Sequence, residues 1–276
     1  MALLWAPGVV KKTPLDVNST THLSGQAEKL NPATGELETN PVKATSITKS
    51  DAKVSDDRIV AFTNSSCLVI DEADVPDCVP GDDERLISAS TDVFATHRKT
   101  ALAVNEGKYL PAEAEDHEGV INKWPFDSEK KTYPYWDGTA GESFDAEYVR
   151  TVKVRDLEAY LYRVEFEGEE IEIAEGVDGT YDDLKEIYVE PKTATIVNQT
   201  DDQQRALADG TKVLDLQLAF TDDQIKTTVD DTNDSLRRLT AITTIVPVVG
   251  IVGGLVCLMV AVLLIMRMGA TGRRKA

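Results

Sequence analysis

The residues with the clearest capacity for chemistry are aromatic. Seven of the chain's seventeen Phe, Trp and Tyr side chains fall between positions 124 and 148, most of them in NKWPFDSEKKTYPYWD, Asn122 to Asp137. Exposed aromatic faces stack on sugar rings or cover acyl chains, while Tyr and Trp keep a polar handle at the rim. Trp124, Phe126, Tyr133, Tyr135 and Trp136 are therefore the candidate ligand-binding residues. The same density would also plug the open end of a β-sandwich, and ring content alone does not separate the two uses. Pro125 and Pro134 cannot donate a ladder hydrogen bond, so the two aromatic arms belong at a sheet edge or in polyproline-like conformation, around the polar turn Asp127 to Thr132.

Carboxylates are the other abundant reactive group. Asp71-Glu72-Asp74, Asp82-Asp83-Glu84 and Asp182-Asp183 are dense enough to attract calcium, but none follows the EF-hand pattern, and solvated loops are the expectation. His117, between Asp116 and Glu118, reads as a solvated loop residue. The chain has no G-x-S-x-G, H-E-x-x-H, phosphate-binding glycine loop or CxxC, and nothing singles out a glycosidase carboxylate pair. The expectation is a protein without catalytic residues, cofactor or metal.

Cys67 and Cys78 are the only cysteines outside the C-terminal apolar run. They make a candidate disulfide, whose loop closure contributes about 3 kcal/mol and persists in an oxidising compartment. The alternative is two unpaired buried thiols.

These residues must be positioned by a mostly β structure. From Thr13 to about Phe220, period-two alternation dominates. The clearest strand is Glu158 to Ile173, with Gly168 marking a turn. Further strand-like runs are Ile59–Phe62, Cys67–Ile70, Leu86–Phe94, Glu186–Glu190, Thr193–Val197 and Lys212–Phe220. Turn signals at Pro191-Lys192 and Asp209-Gly210 make the last three an antiparallel meander. The fold class expected is mainly β: an antiparallel domain over 13–220, sandwich-like or in two packed sheets. Thr221 then caps a juxtamembrane helix over 221–238, with Asp222 and Asp223 in its first turn.

Residues 239–266 contain no Asp, Glu, Lys or Arg. As a helix they reach about 42 Å, against a hydrocarbon core of about 30 Å, so they are expected to span a membrane. Gly250 and Gly254 form a candidate GxxxG packing face. The tail 267–276 carries four bases and no acid, which places the C-terminus in the cytoplasm and the β domain outside. At the other end, MALLWAPGVV followed by two lysines is too short to span; residues 1–12 read as the outer remnant of a first membrane helix, making a two-pass protein if the true start lies upstream. All 48 acids precede Arg237, whereas six of the 29 bases lie at or beyond it, so residues 1–236 hold 23 bases and a net charge of −25. Such a surface repels nucleic acid.

The runs STDVFATHRKTALAVN (Ser90 to Asn105) and HEGVINKWPFDSEKKTYPYWD (His117 to Asp137) carry a resemblance to an actinobacterial membrane-protein family of unknown function labelled "porin PorA family". It extends to KTPLDVNSTTHLSG near the start, the cysteine pair and the closing helices, and so covers nearly the whole chain. The resemblance implies a cell-membrane protein with a helix at each end of a β-rich outer domain. It also implies a role in envelope assembly, since mycobacterial and corynebacterial relatives are implicated in mycolate glycolipid trafficking beside a lipid exporter, lipoglycan maturation and polar growth. The expected function is non-enzymatic: the outer domain binds or hands on an envelope lipid or glycolipid, with a scaffold for partner membrane proteins as the alternative, and a hydrolase or true porin behind both.

Overall fold

The computed structural model describes residues 11–272. The expected first-helix remnant, but for Lys11 and Lys12, and the basic residues Arg273, Arg274 and Lys275 lie outside the described residues.

Ten strands follow in chain order: β1 Asn18–Leu30, β2 Leu37–Asp51, β3 Ile59–Ile70, β4 Leu86–His97, β5 Tyr133–Asp137, β6 Glu142–Val154, β7 Leu157–Ala174, β8 Val177–Glu190, β9 Thr195–Leu207 and β10 Lys212–Phe220. The mainly β, antiparallel class holds, but the strands do not divide into a sandwich or two packed sheets. They form one curled sheet in the order β4-β3-β2-β1-β10-β9-β8-β7-β6-β5. The two meanders β1–β4 and β5–β10 are joined edge to edge where β1 pairs with β10, from Leu23 opposite Phe220 to Lys29 opposite Leu214. Long strands explain the difference: β7 runs for 18 residues and β2 for 15, and strands of that length twist enough for one sheet to curl and cover its own inner face.

Two local readings change in the same way. Gly168 does not end β7; it takes a positive φ of 76° at a register shift between Phe166 and Glu169, a bulge within the strand. Ile59–Phe62 and Cys67–Ile70 are the ends of a single β3, joined through the polar stretch Thr63 to Ser66.

The long β4–β5 connection closes the gap between the sheet's edge strands. His97 N donates to Leu102 O and Val104 N to Ala95 O, so residues 102–104 run against β4. Ala103 N donates to Gly119 O, Val120 N to Pro134 O and Trp136 N to Val120 O, which carries the backbone bonding on to β5. Gly119 sits at φ 74°, where a Cβ would collide with the Pro134 carbonyl, so only glycine permits this approach. Pro134 lies in the edge strand β5, as its missing N–H requires.

After β10, Thr221 Oγ1 accepts from Gln224 N and starts α1, Asp222–Thr240. A π-helical turn, Ala241–Ile245, and α2, Val246–Gly272, follow directly. Mean hydropathy reaches 2.7 over the apolar part of this helical stretch, which is long enough to cross a membrane. Val249 and Leu258 are each 64% exposed, as lipid-facing side chains would be without a bilayer.

Candidate functional site

The five aromatic candidates come together, but mostly as core. Trp124 is fully buried, Tyr133, Tyr135 and Trp136 are buried, and Phe126 alone is partly exposed. The Trp124 ring lies 5.6 Å from Tyr135 and 5.2 Å from Tyr162, and Tyr133 meets Tyr162 edge-on at 5.7 Å. With Val120, Val164, Ile187 and Val189 these rings fill the sheet's inner face at the β5–β8 side. Backbone bonds fasten the segment down: Trp124 N to Ala194 O, Phe126 N to Lys99 O and Ser128 N to Pro191 O. Of the two uses the sequence left open, this is the packing one.

Beneath this aromatic layer lies a charged cluster. The Lys185 ammonium stands 3.1 Å from Asp137, 3.0 Å from Asp183 and 3.4 Å from Asp201, with its side chain 7% exposed. Gln203 donates to Asp201, Arg205 to Gln203, and Tyr181 faces Asp137. Burial opposes the Lys185 charge, yet the three carboxylates hold its pKa well above the usual lysine range. Asp183 is pushed up, chiefly by burial, because one ammonium cannot offset three carboxylates. Tyr135, 5.6 Å from the ammonium, is pushed up to about 12, again by burial first. Asp183 is thus not a solvated loop acid; it points inward from β8. Its signal in the sequence is the period-two row Tyr181, Asp183, Lys185, Ile187, Val189, which sets both charges on one face with apolar neighbours.

His117 corrects a second expectation. It is buried between Trp136 at 4.7 Å and Phe94 at 5.7 Å, tilted by 50° to each ring. Nδ1 lies 3.0 Å from Glu115 O and Nε2 3.0 Å from Asp92 Oδ2. Both partners are acceptors, so the protonated ring, with a donor on each nitrogen, satisfies both contacts. Burial alone would lower its pKa, but the Asp92 carboxylate and the Glu115 carbonyl raise it on balance. The ring links β4 to the segment leading into β5.

Cys67 and Cys78 form the disulfide, with Cα atoms 5.6 Å apart. It borders a groove of about 330 Å³ lined by Thr45, Ile47, Ser65, Cys67, Asp77, Cys78, Ala89, Ser90 and Thr91, with Ser66. Register builds this platform: Thr45 pairs with Cys67 and Cys67 with Ala89, while Ile47 pairs with Ser65 and Ser65 with Thr91, so two three-residue rows share one face. The opposite face at the same strands carries Ser46, Asn64 and Thr48, where the Asn64 amide donates to both hydroxyls. No aromatic residue announces the groove in the sequence. Gly250 and Gly254 lie in α2 with open space where a Cβ would stand.

A single curled antiparallel sheet with a filled inner face, followed by an apolar helix of spanning length, fits a membrane-anchored β-sheet protein. The family model described as porin PorA matches residues 1–263, and the chain belongs to that family. No curated protein matches it.

Proposed function

We propose that this is a non-enzymatic, membrane-anchored cell-envelope protein whose outer β domain binds or hands on a lipid or glycolipid. The observation that carries the reading is the groove beside the disulfide. Ile47, Ala89 and the disulfide give it apolar surface, Thr45, Ser65 and Thr91 supply hydroxyls on the same face and Asp77 a carboxylate, and its volume of about 330 Å³ falls in the range of ligand sites. An amphiphile with an acyl and a sugar part suits that combination. The porin sense of the family description is disfavoured, because outward positions on β7 and β8 hold Arg163, Glu165, Asp182 and Glu186, where a lipid-facing barrel needs an apolar band. The C-terminus is then cytoplasmic and the β domain extracytoplasmic, as the charges flanking α2 suggest. Lipid extraction and mass spectrometry of the full chain purified from its membrane tests the reading. A defined envelope amphiphile, lost in Ile47→Lys and Ala89→Arg, is the expected result; recovery of none, or equal recovery from the variants, rejects it.

The scaffold reading is favoured by a different observation, the close packing of Trp124 to Trp136, which leaves most of those ring faces unavailable to a ligand. In it, α2 holds partner membrane proteins through the Gly250/Gly254 face. Replacing Gly250 and Gly254 with leucine should then abolish partner recovery, and undiminished recovery removes the helix from that role.

A further inference from the structure

Buried charge flanks β5 on both of its faces. Period two turns Tyr135 and Asp137 one way and Trp136 the other. Asp137 meets the Lys185 cluster, and Trp136 packs on the His117 ring, which is itself held by Asp92 of β4. Between those two attachments the backbone is thinly bonded. Thr96 with Ala103, Leu102 with Val120 and Val120 with Tyr135 are single bridges, whereas β7 and β8 pair from Tyr160 to Ala174. We propose that this β4–β5 seam is a proton-operated latch, closed when the two buried charge groups beside Trp136 and Asp137 hold protons and loosened when they give them up.

On the Asp137 side a single ammonium serves three carboxylates. Lys185 Nζ lies 3.1 Å from Asp137 of β5, 3.0 Å from Asp183 of β8 and 3.4 Å from Asp201 of β9, and all four side chains are at least nine-tenths buried. The other polar groups packed there are Tyr135, Tyr181 and Gln203, while Arg205 bonds Gln203 and Thr139. With every carboxylate ionised, two negative charges would stand in the interior without a counter-charge, a state that burial strongly disfavours. One bound proton halves that excess, and Asp183, the most buried of the three, is the carboxylate whose hold on it is raised. Release of that proton sets Asp183 against Asp137 and so drives β5 away from β8.

On the Trp136 side, the two His117 nitrogens face Glu115 O and Asp92, with the rings of Trp136 and Phe94 alongside. A protonated ring donates to both acceptors; a neutral ring donates to one alone. Burial opposes that proton, but Asp92 and the Glu115 carbonyl hold it. The two groups therefore act in one direction. The Asp183 contribution is complete below the unfolded carboxylate value of about 3.9 and falls as pH rises toward the folded one, and the His117 contribution is complete below about 6.5 and falls as pH rises through its own. Acid closes the seam and base loosens it. None of these groups lines the groove beside the disulfide, so either reading can fail without the other.

The test is hydrogen exchange of the full chain in neutral detergent, read by NMR as protection corrected for intrinsic rates. Between about pH 5 and about pH 8 the Val120 and Trp136 amides should lose protection at least about tenfold, while those of the β1–β2 ladder hold steady. Asp183→Asn and Asp92→Asn should each flatten this dependence and together abolish it; Glu158→Gln, exposed on β7, should leave it unchanged. Where a variant folds poorly the wild type decides: its Asp183 carboxyl carbon and His117 ring should titrate in step with the loss of protection. Constant protection across that range, a pH dependence that survives in the folded double variant, or protection lost without either group titrating overturns the proposal.

Discussion

Replacing Trp124 by alanine separates a core ring from a ligand-binding one. The side chain is fully buried between Tyr135 and Tyr162, so truncation removes an entire indole from a close-packed layer and should cost about 3–5 kcal/mol. Trp124→Phe should cost much less, for a specific reason. The indole N–H is buried without a hydrogen-bond partner, and deleting that unmet donor returns about 1–3 kcal/mol against the smaller loss of ring volume. The folded unit spans Lys12–Asn233, so an unfolding entropy of about 2.1 cal/mol/K per residue gives about 0.5 kcal/mol/K. A 4 kcal/mol loss then lowers the midpoint by roughly 9 °C. Calorimetric melting and urea titration of the two variants beside wild type measure it. If Trp124→Ala melts within a degree or two of wild type, or if the phenylalanine variant is the worse of the two, the ring is not part of the core as argued.

Other expectations follow from the same interior. Lys185→Met should destabilise the domain by about 3–5 kcal/mol by stranding three carboxylates, whereas Asp183→Asn should be neutral or stabilising at neutral pH; urea midpoints decide. His117 has a folded pKa above its unfolded value, so its contribution is fully present below about pH 6.5 and is lost as pH rises through the folded value. Wild type should therefore lose melting temperature relative to Asp92→Asn on going from mildly acidic to mildly alkaline buffer; parallel curves would refute a His117 pKa raised by Asp92. Cys67→Ser with Cys78→Ser opens a loop of sequence separation 11 and should cost about 2.8 kcal/mol by loop closure, read as a fall in urea midpoint. Gly119→Ala should loosen the β4–β5 closure, seen as faster amide exchange at Val120 and Trp136, while Gly141→Ala, at a turn with open space around it, should leave those amides unchanged.

Much of the strand order was legible because period two and turn chemistry are local. Pro191-Lys192 and Asp209-Gly210 lie at the β8–β9 and β9–β10 turns, and the alternation from Tyr160 marks β7. The pairing of β1 with β10 is not local: it joins residues nearly 200 positions apart, and no short-range pattern encodes it. The same gap explains the interior. Asp182-Asp183 looks like a solvated pair until β8 is known to run on through it, and Asp183 then turns inward while Asp182 turns out. His117 sits among acids in sequence, yet its burial depends on Asp92, Phe94 and Trp136 arriving from two strands. The groove is built from register across β2, β3 and β4, which single-strand patterns cannot supply.

The central claim is that the domain recognises an amphiphile at the groove and keeps the aromatic segment for packing. Photo-crosslinking the full chain in its own membrane lipids with a diazirine-bearing acyl probe, followed by peptide mass spectrometry, tests it directly. The account predicts crosslinks on the peptides around Thr45–Ile47, Ser65–Cys67 and Ala89–Thr91. Crosslinks concentrated on Trp124 to Trp136, with the groove peptides unmarked, would contradict it.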